Sequence, residues 1–353
     1  MPGTTAVPPG PPPRARPTMR EVAALAGVSL KTVSRVVNGE EGVSSEMSSA
    51  VERAIAQLDY RPNLGASNLR RRGGKTSTIA ALLEDLANPF SASVHRAVED
   101  VARSRGTLVF AASVDGQPER ERELVRAFTA RRVDALVVVP AGQDQSHLYP
   151  DVRAGTPVVF VDRPPRGLLA DVVLSDNELA AATAVRHLAA AGHRRIGHLG
   201  DDRAISTARQ RLEGYRRAHL GLGLPVDERL VVQDLRTADQ AAAAVARLLS
   251  TSAPPTALFT SQNLVTLGAV RALQGLGLQH RVALVGLDDF PGADLLQPRT
   301  TVVAQDPAGI GALAAALVFR RLEGEAWTPT THVVPTRLVP RGSGEIVPAV
   351  PGP

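Results

Sequence analysis

Residues 18–39 read TMREVAALAGVSLKTVSRVVNG, and the order of caps, apolar positions and glycines in this stretch decides how the front of the chain folds. Thr18-x-x-Glu21 has the form of a capping box, in which the hydroxyl accepts from an early helical N–H and the carboxylate reaches back to the cap. Val22, Leu25 and Ala26 then fall at i, i+3, i+4 on one face, and Gly27 stops the helix and permits a sharp turn. Ser29 is placed to cap a second helix with Val33, Val36 and Val37 facing inward, ended by Asn38-Gly39. A third helix starts from a Ser44 or Ser45 cap and carries Val51, Ile55 and Leu58 as its apolar stripe. Three short helices with a tight second turn predict a helix-turn-helix domain over residues 18–61.

Charge points the same way. The 353-residue chain carries a net charge of +5, and residues 1–75 hold eleven Lys or Arg against six acids, so the rest of the chain is balanced. A small unit holding the whole basic excess is the footprint of a partner with a polyanionic surface. In the second helix Lys31 and Arg35 can donate to guanine edges, Leu30 can touch a thymine methyl, and Thr32, Ser34 and Asn38 can anchor to phosphates. The plain alternative is a solvated helix face. Glu40 and Glu41, just beyond the helix, have no positive role in this reading.

A composition of 44% apolar and 21% charged residues is that of a folded chain, long enough for two or three domains. The longest apolar run, 309–319, is too short for a membrane span. With no Cys, thiolate metal sites, thiol nucleophiles and disulfide frameworks are excluded, and a reducing compartment, the cytoplasm, is expected. Residues 1–17, rich in proline, are expected to form a disordered leader.

From Ser77 onward, short apolar runs alternate with amphipathic stretches. Strands are predicted over 78–83, 108–111, 135–139, 158–161, 196–199, 257–260 and 282–285, and helices over 91–104, 119–130, 177–191, 207–220, 240–249 and 264–276. Alternation of this kind builds parallel sheets, and its length fits two doubly wound halves with a ligand cleft at the strand carboxyl ends.

The stretch quoted first resembles the opening of the LacI/GalR family of bacterial transcription repressors, and the resemblance continues through VSSEMSSAVERAIAQLDYRPN (43–63). Further along it rests on Asn88-Pro89-Phe90, Val161-Asp162-Arg163-Pro164, Asp176-Asn177, Arg211 to Tyr215, Gly286 to Asp289 and Pro335 to Leu338. It implies an N-terminal three-helix helix-turn-helix domain plus an α/β core of two doubly wound parallel-sheet subdomains, of the periplasmic-binding-protein-like type I. It also implies a hinge helix and linker over 62–76, with Asn63, Ala66 and the wedge residue Leu69 meeting the DNA minor groove. A nine-residue helix containing Gly65 is marginal alone, which suits a switch element. The core is expected over 77–341, one subdomain spanning about 77–174 and 291–324 and the other about 175–290 and 325–341, with crossings near 174–175, 289–291 and 323–327. Residues 342–353 are expected to be a flexible tail.

By position the resemblance implies an effector site of Phe90, Ser91, Asp162, Arg211, Leu235, Gln262 and Asp288. Arg211 and Asp288 read either as a polar clamp on effector hydroxyls or as a buried ion pair. Three departures weaken an aromatic stacking platform: Ser91 and Leu235 stand where aromatics are common in the family, and Gln262-Asn263 replaces the usual Asn-Asp. A polar effector, a sugar or sugar derivative, is therefore expected over a stacked purine. No cofactor, metal or membrane partner is expected.

Enzyme readings are poorly supported. There is no His-Glu-x-x-His and no Gly-x-Ser-x-Gly, Gly74-Lys75-Thr76 has Leu69 where a P-loop needs Gly, and Gly309-x-Gly311-x-x-Ala314 lacks the acidic residue of a dinucleotide fingerprint. Asp201-Asp202 and Asp288-Asp289 read as loop and cleft residues. The expected partners are a near-palindromic operator duplex bound by a homodimer, and a small effector. The competing reading is a solute-binding protein without DNA function. No leucine heptads follow Arg341, so no coiled-coil tetramer is expected.

Overall fold

The computed structural model describes residues 17–38, 40–61, 76–325 and 328–349. The chain divides into two compact units, residues 1–76 and 77–353. The first contains α1 (Met19–Ala26), α2 (Leu30–Val37) and α3 (Ser45–Leu58). Both halves of the Thr18 capping box are made: Thr18 N–H donates to Glu21 Oε2 at 2.6 Å, and Thr18 Oγ1 accepts from Glu21 N–H at 3.4 Å. Gly27, at φ 68°, turns the chain between α1 and α2 in the left-handed region that other residues enter at a cost. Ser29 and Ser44 cap α2 and α3 by accepting from Thr32 N–H and Met47 N–H. The helices close on a core of Val22, Ala23, Val33, Val51, Ala54 and Tyr60, with Val36, Val37, Ile55 and Leu58 packed at its edge.

The second unit holds two six-stranded sheets. Its elements in order are β1 (Thr78–Leu83), α4 (Pro89–Ser104), β2 (Leu108–Ser113), α5 (Pro118–Ala130), β3 (Ala135–Val138), α6 (Tyr149–Arg153), β4 (Val158–Val161) and β5 (Asp171–Ser175). Then come α7 (Asn177–Ala190), β6 (Ile196–Leu199), α8 (Ser206–Gly221), β7 (Val231–Val232), α9 (Ala238–Leu249), β8 (Ala257–Thr260) and α10 (Asn263–Gly275). Last are β9 (Ala283–Leu287), β10 (Thr301–Ala304), α11 (Pro307–Leu322), β11 (Thr331–Val334) and β12 (Arg337–Val339). The first sheet has the order β11-β5-β4-β3-β1-β2 and the second β12-β10-β9-β8-β6-β7. Every pairing is parallel except β10 with β12.

Strands covered on both faces read as continuous apolar runs, and alternate residues feed opposite layers. Ile79, Ala81 and Leu83 enter one core of the first sheet, while Ala80 and Leu82 enter the other. In the second sheet Ala257 and Phe259 face one core and Leu258 the other. Helices pair closely over glycines. A Cβ on Gly311 of α11 would collide with the carbonyl of Val94 on α4, one on Gly214 of α8 with that of Glu178 on α7, and one on Gly268 of α10 with that of Ala238 on α9.

Two of the expected crossings fall elsewhere. The first lies between β5 and α7, at 175–177. The second lies at 304–307, not 289–291, because residues 288–300 make an excursion that returns as β10 beside β9 in the same sheet. The third lies at 334–337, not 323–327, because α11 is followed by β11, which pairs with β5, before the chain passes to β12. The N-terminal subdomain is therefore about 77–175 and 307–334, and the C-terminal one about 177–304 and 337–349.

The expectation of a flexible tail over 342–353 is also corrected as far as residue 349; residues 350–353 lie outside the described residues. β10 begins opposite Val285 and leaves the backbone of Leu284 open. Ser343 fills that gap, its carbonyl accepting from Leu284 N–H at 2.9 Å and its hydroxyl donating to Leu284 O at 2.6 Å. Ile346 packs onto the core of the second sheet. Among the described residues no helix is long and apolar enough to cross a membrane.

Candidate functional site

The first site is the outward side of α2. Leu30, at 43% exposure, and Lys31 project from its first turn, next to the partial positive charge of the helix N-terminus. Val33 alone of this helix is fully buried. Thr32 and Ser34 are half-buried and locally engaged: the Thr32 and Ser29 hydroxyls share a hydrogen bond of 2.9 Å, and Ser34 Oγ accepts from Asn38 Nδ2 at 3.4 Å. Arg35 is drawn back by Glu40, Nε to Oε2 at 3.7 Å, and Glu40 also accepts from Asn38 Nδ2 at 3.4 Å. Glu40 thus acquires the role that the sequence left open. Asn63, Ala66 and Leu69 lie outside the described residues.

The second site is a cleft of about 490 Å³ between the carboxyl ends of the two sheets. Residues that directly follow strands form its rim: Glu84 after β1, Asp162 and Arg163 after β4, Asp288 after β9 and Gln305 after β10. The two subdomains repeat one another here. Asp115 N–H donates to Glu84 O at 2.8 Å, as Asp234 N–H does to Asp201 O at 3.1 Å; Asp162 N–H donates to Val173 O at 3.0 Å, as Asp288 N–H does to Val303 O at 3.0 Å. Asp115, Asp162, Asp234 and Asp288 all adopt left-handed φ, between 52° and 71°, a conformation that Asp tolerates better than most residues.

Charge in the cleft is tightly paired. Arg163 meets Glu84 Oε2 through Nη2 at 3.1 Å and Asp162 Oδ2 through Nε at 3.0 Å. Arg211, buried on α8, donates from Nε to Asn177 Oδ1 at 2.7 Å and from Nη1 to the carbonyl of Ser261 at 2.8 Å. Asp288 accepts from Gln305 Nε2 at 2.5 Å. Burial pushes the carboxyls of Glu84, Asp201 and Asp288 above the ordinary carboxylate range, with Arg163 opposing the shift at Glu84 and Arg211 opposing it at Asp288. Arg211 and Asp288 form no direct ion pair among the described residues; both line the cleft, and the Arg211 charge acts on Asp288. The walls touch through Asn88 and Asn263, whose amides exchange hydrogen bonds of 3.3 and 2.9 Å, and through Gln143 Nε2 to Ala204 O at 3.2 Å.

Of the residues expected at an effector site, Phe90, Ser91, Asp162, Arg211, Gln262 and Asp288 line this cleft. Leu235 does not. It is 5% exposed and packs with Leu199, Leu230 and Leu258 in a subdomain core, while the next residue, Arg236, lines the cleft and pairs with Asp202. An apolar side chain beside a polar cleft gains more by facing the core, and Leu at this position does so. Sequence reasoning passed over Glu84 and Gln305, quoted Arg163 only within a motif, and read Asp201 as a loop or cleft residue without placing it in the effector set. The signal was present, since a polar or charged residue follows closely on the buried runs LL-Glu84, FV-Asp162 and HLG-Asp201.

With this geometry in place, the chain can be set beside known proteins. Residues 18–63 match the model of bacterial regulatory proteins, lacI family, and residues 185–344 match a periplasmic binding protein-like domain. The HTH-type transcriptional regulator CelR of Thermobifida fusca is 34% identical over 94% of this chain and 99% of its own. A structure of a CelR–cellobiose complex is 32% identical, covers 93% of this chain and 100% of that one, and superposes with a TM-score of 0.69. The Lac repressor dimer bound to operator and the anti-inducer ONPF is 26% identical, covers 94% of this chain and 99% of that one, and gives a TM-score of 0.82. Helix-turn-helix, two-sheet core and near full-length similarity agree: this chain belongs to the LacI family of bacterial regulatory proteins.

Proposed function

We propose that this protein is a ligand-responsive transcriptional repressor that binds a near-palindromic operator as a homodimer and senses a small polar effector, a sugar or sugar derivative, in the core cleft. The observation that carries the effector half is the cleft itself: acids and amides at strand ends, Arg211 anchored by Asn177 and the Ser261 carbonyl, and Phe90 as its one aromatic among the described residues. Carboxylates paired with Arg accept hydroxyl hydrogen bonds and hold a polyol in one orientation. The similarity to a CelR–cellobiose complex supports a saccharide as the effector class, and Phe90, Ser91, Asp162, Arg211, Gln262 and Asp288 are the proposed contacts because they line the cleft.

For the DNA half, Leu30, Lys31, Thr32, Ser34, Arg35 and Asn38 are the proposed major-groove and phosphate contacts, with Asn63, Ala66 and Leu69 in the minor groove between half-sites. The similarity to an operator-bound Lac repressor dimer supports operator binding as a dimer. A second copy has a place to dock: the edge strand β2 exposes Leu108 and Phe110, at 64% and 42%. An effector that favours one opening angle of the cleft would bias the hinge between formed and frayed. The acids of the cleft serve in this reading as hydroxyl acceptors, with no part in turnover. The test is selection of bound duplexes from a random pool with and without a panel of saccharides. Enrichment of an inverted repeat whose binding one saccharide shifts is expected, and failure to enrich any duplex refutes the reading.

A further inference from the structure

The same cleft carries more information about its ligand, on the reading that it is the effector site. Arg163, with a side chain only 13% exposed, is the one cation placed between β1 and β4 on the N-terminal wall among the described ion pairs, and it is matched twice, by Glu84 at 3.1 Å and by Asp162 at 3.0 Å. A buried guanidinium in a ligand cleft is ordinarily the fork that receives a carboxylate or phosphate. Here Nε donates to Asp162 Oδ2, and Glu84 Oε2 stands 3.1 Å from Nη2 as an ion pair without hydrogen-bond geometry, so the protein's own acids already face the Nε–Nη2 edge.

The surroundings add to the negative field. Asp115 sits one backbone hydrogen bond from Glu84, and Asp201 comes close enough from the opposite wall to push the Glu84 carboxyl up, after burial and along with Asp162. Arg211 does not offset this, because its charge is shared with Asp201 and Asp288. The cleft as a whole presents seven carboxylates against five guanidiniums.

We propose that Glu84 is a specificity-determining residue that restricts the effector to uncharged polyhydroxylated compounds and excludes their acids, by occupying the guanidinium of Arg163 that a sugar acid would otherwise engage. An aldonate or uronate entering the cleft must displace Glu84 or lie against unpaired carboxylates in a partly desolvated space, where like charges repel strongly. A neutral sugar meets the same carboxylates as hydroxyl acceptors.

The test uses the full-length chain and matched pairs: glucose with gluconate and glucuronate, ribose with ribonate, and cellobiose with cellobionate. Calorimetry gives the affinities, and operator release is followed in parallel. In the wild type the neutral member of the bound pair is expected to bind at least tenfold tighter than its acid. Glu84→Gln keeps the shape and removes the charge, and it is expected to narrow that ratio by tenfold or more through a gain in affinity for the acid. An acid that binds the wild type as well as its neutral partner overturns the proposal, as does an unchanged ratio in Glu84→Gln. Should that variant fail to fold, the wild-type ratio is measured against salt, where it should shrink as screening grows; a salt-independent ratio overturns the proposal. If the acid binds and releases operator, only the exclusion fails and the effector reading stands. If no member of any pair binds, both fail, while operator binding by the N-terminal unit is judged separately.

Discussion

Removal of the Glu40 charge should strengthen DNA binding. Arg35 Nε and Glu40 Oε2 are 3.7 Å apart, with side chains 42% and 53% exposed, so the pair is solvated and worth at most about 1 kcal/mol. Before Arg35 can reach a base edge or phosphate that pair must open, and Glu40 then lies beside the duplex as an uncompensated negative charge. Glu40→Gln removes both costs, and a total near 1 kcal/mol corresponds to roughly fivefold tighter operator binding. Because one more cation becomes free to displace counterions, the slope of log affinity against log salt should steepen by about 0.9. Fluorescence anisotropy with a labelled, selected operator over a salt series measures both quantities. In an Arg35→Ala background the steepening of the slope and the share of the gain due to opening the pair should vanish, leaving only relief of the repulsion between Glu40 and phosphate. Weaker binding by Glu40→Gln with an unaltered slope would refute the reasoning and show that Glu40 presents Arg35 to DNA.

Other expectations follow from the core. Asp288→Asn should raise the melting temperature of the free protein, because a buried carboxylate whose charged form is disfavoured is replaced by a neutral group that still accepts from Gln305; effector affinity should fall tenfold or more with the loss of a charged acceptor, read by calorimetry. Arg321→Ala should cost about 3 kcal/mol in urea denaturation, since Arg321 meets the fully buried Asp171 at 2.8 and 3.1 Å and its removal takes away the counter-charge, leaving the carboxylate held by the N–H and hydroxyl of Thr330. His198 lies among Tyr215, Phe259 and His219, and burial, with Arg216 and His219 nearby, pushes its imidazole down to about 3. The unfolded chain then takes up a proton below about pH 6.5 that the folded chain refuses, so stability falls as pH drops toward 3, by about 2 kcal/mol at about pH 5. His198→Leu should flatten the acid limb of a stability–pH profile; an unchanged profile would mean that the ring protonates in place.

Much of the architecture was legible because its signals are local. The caps Thr18, Ser29 and Ser44 mark helix starts by side-chain chemistry alone, and strands such as 158–161 announce themselves as apolar runs buried on both faces. The last third was harder to read. β10, β11 and β12 are three or four residues long and mix Thr, His and Arg with Val, Ala and Leu, and their identity as strands depends on neighbours far away in sequence, so the crossings were misplaced by about ten to fifteen residues. At the site, residues carried over by resemblance reached the cleft except Leu235, whose direction is set by core packing. Glu84 was missed because nothing local distinguishes an acid that ends a strand in solvent from one that closes on an arginine more than seventy residues away.

The glycine contacts between paired helices bear on how a bound ligand is felt at a distance. Where Gly311, Gly214 and Gly268 let backbones meet, no layer of side chains remains to repack, so neighbouring helices have little room to slide. Each lobe then behaves as a stiff lever. Three short spans of chain, at 175–177, 304–307 and 334–337, are left to act as the axle. A small molecule bridging the jaws would do its work as rotation about that axle, delivered undiminished to the far end of the lobe.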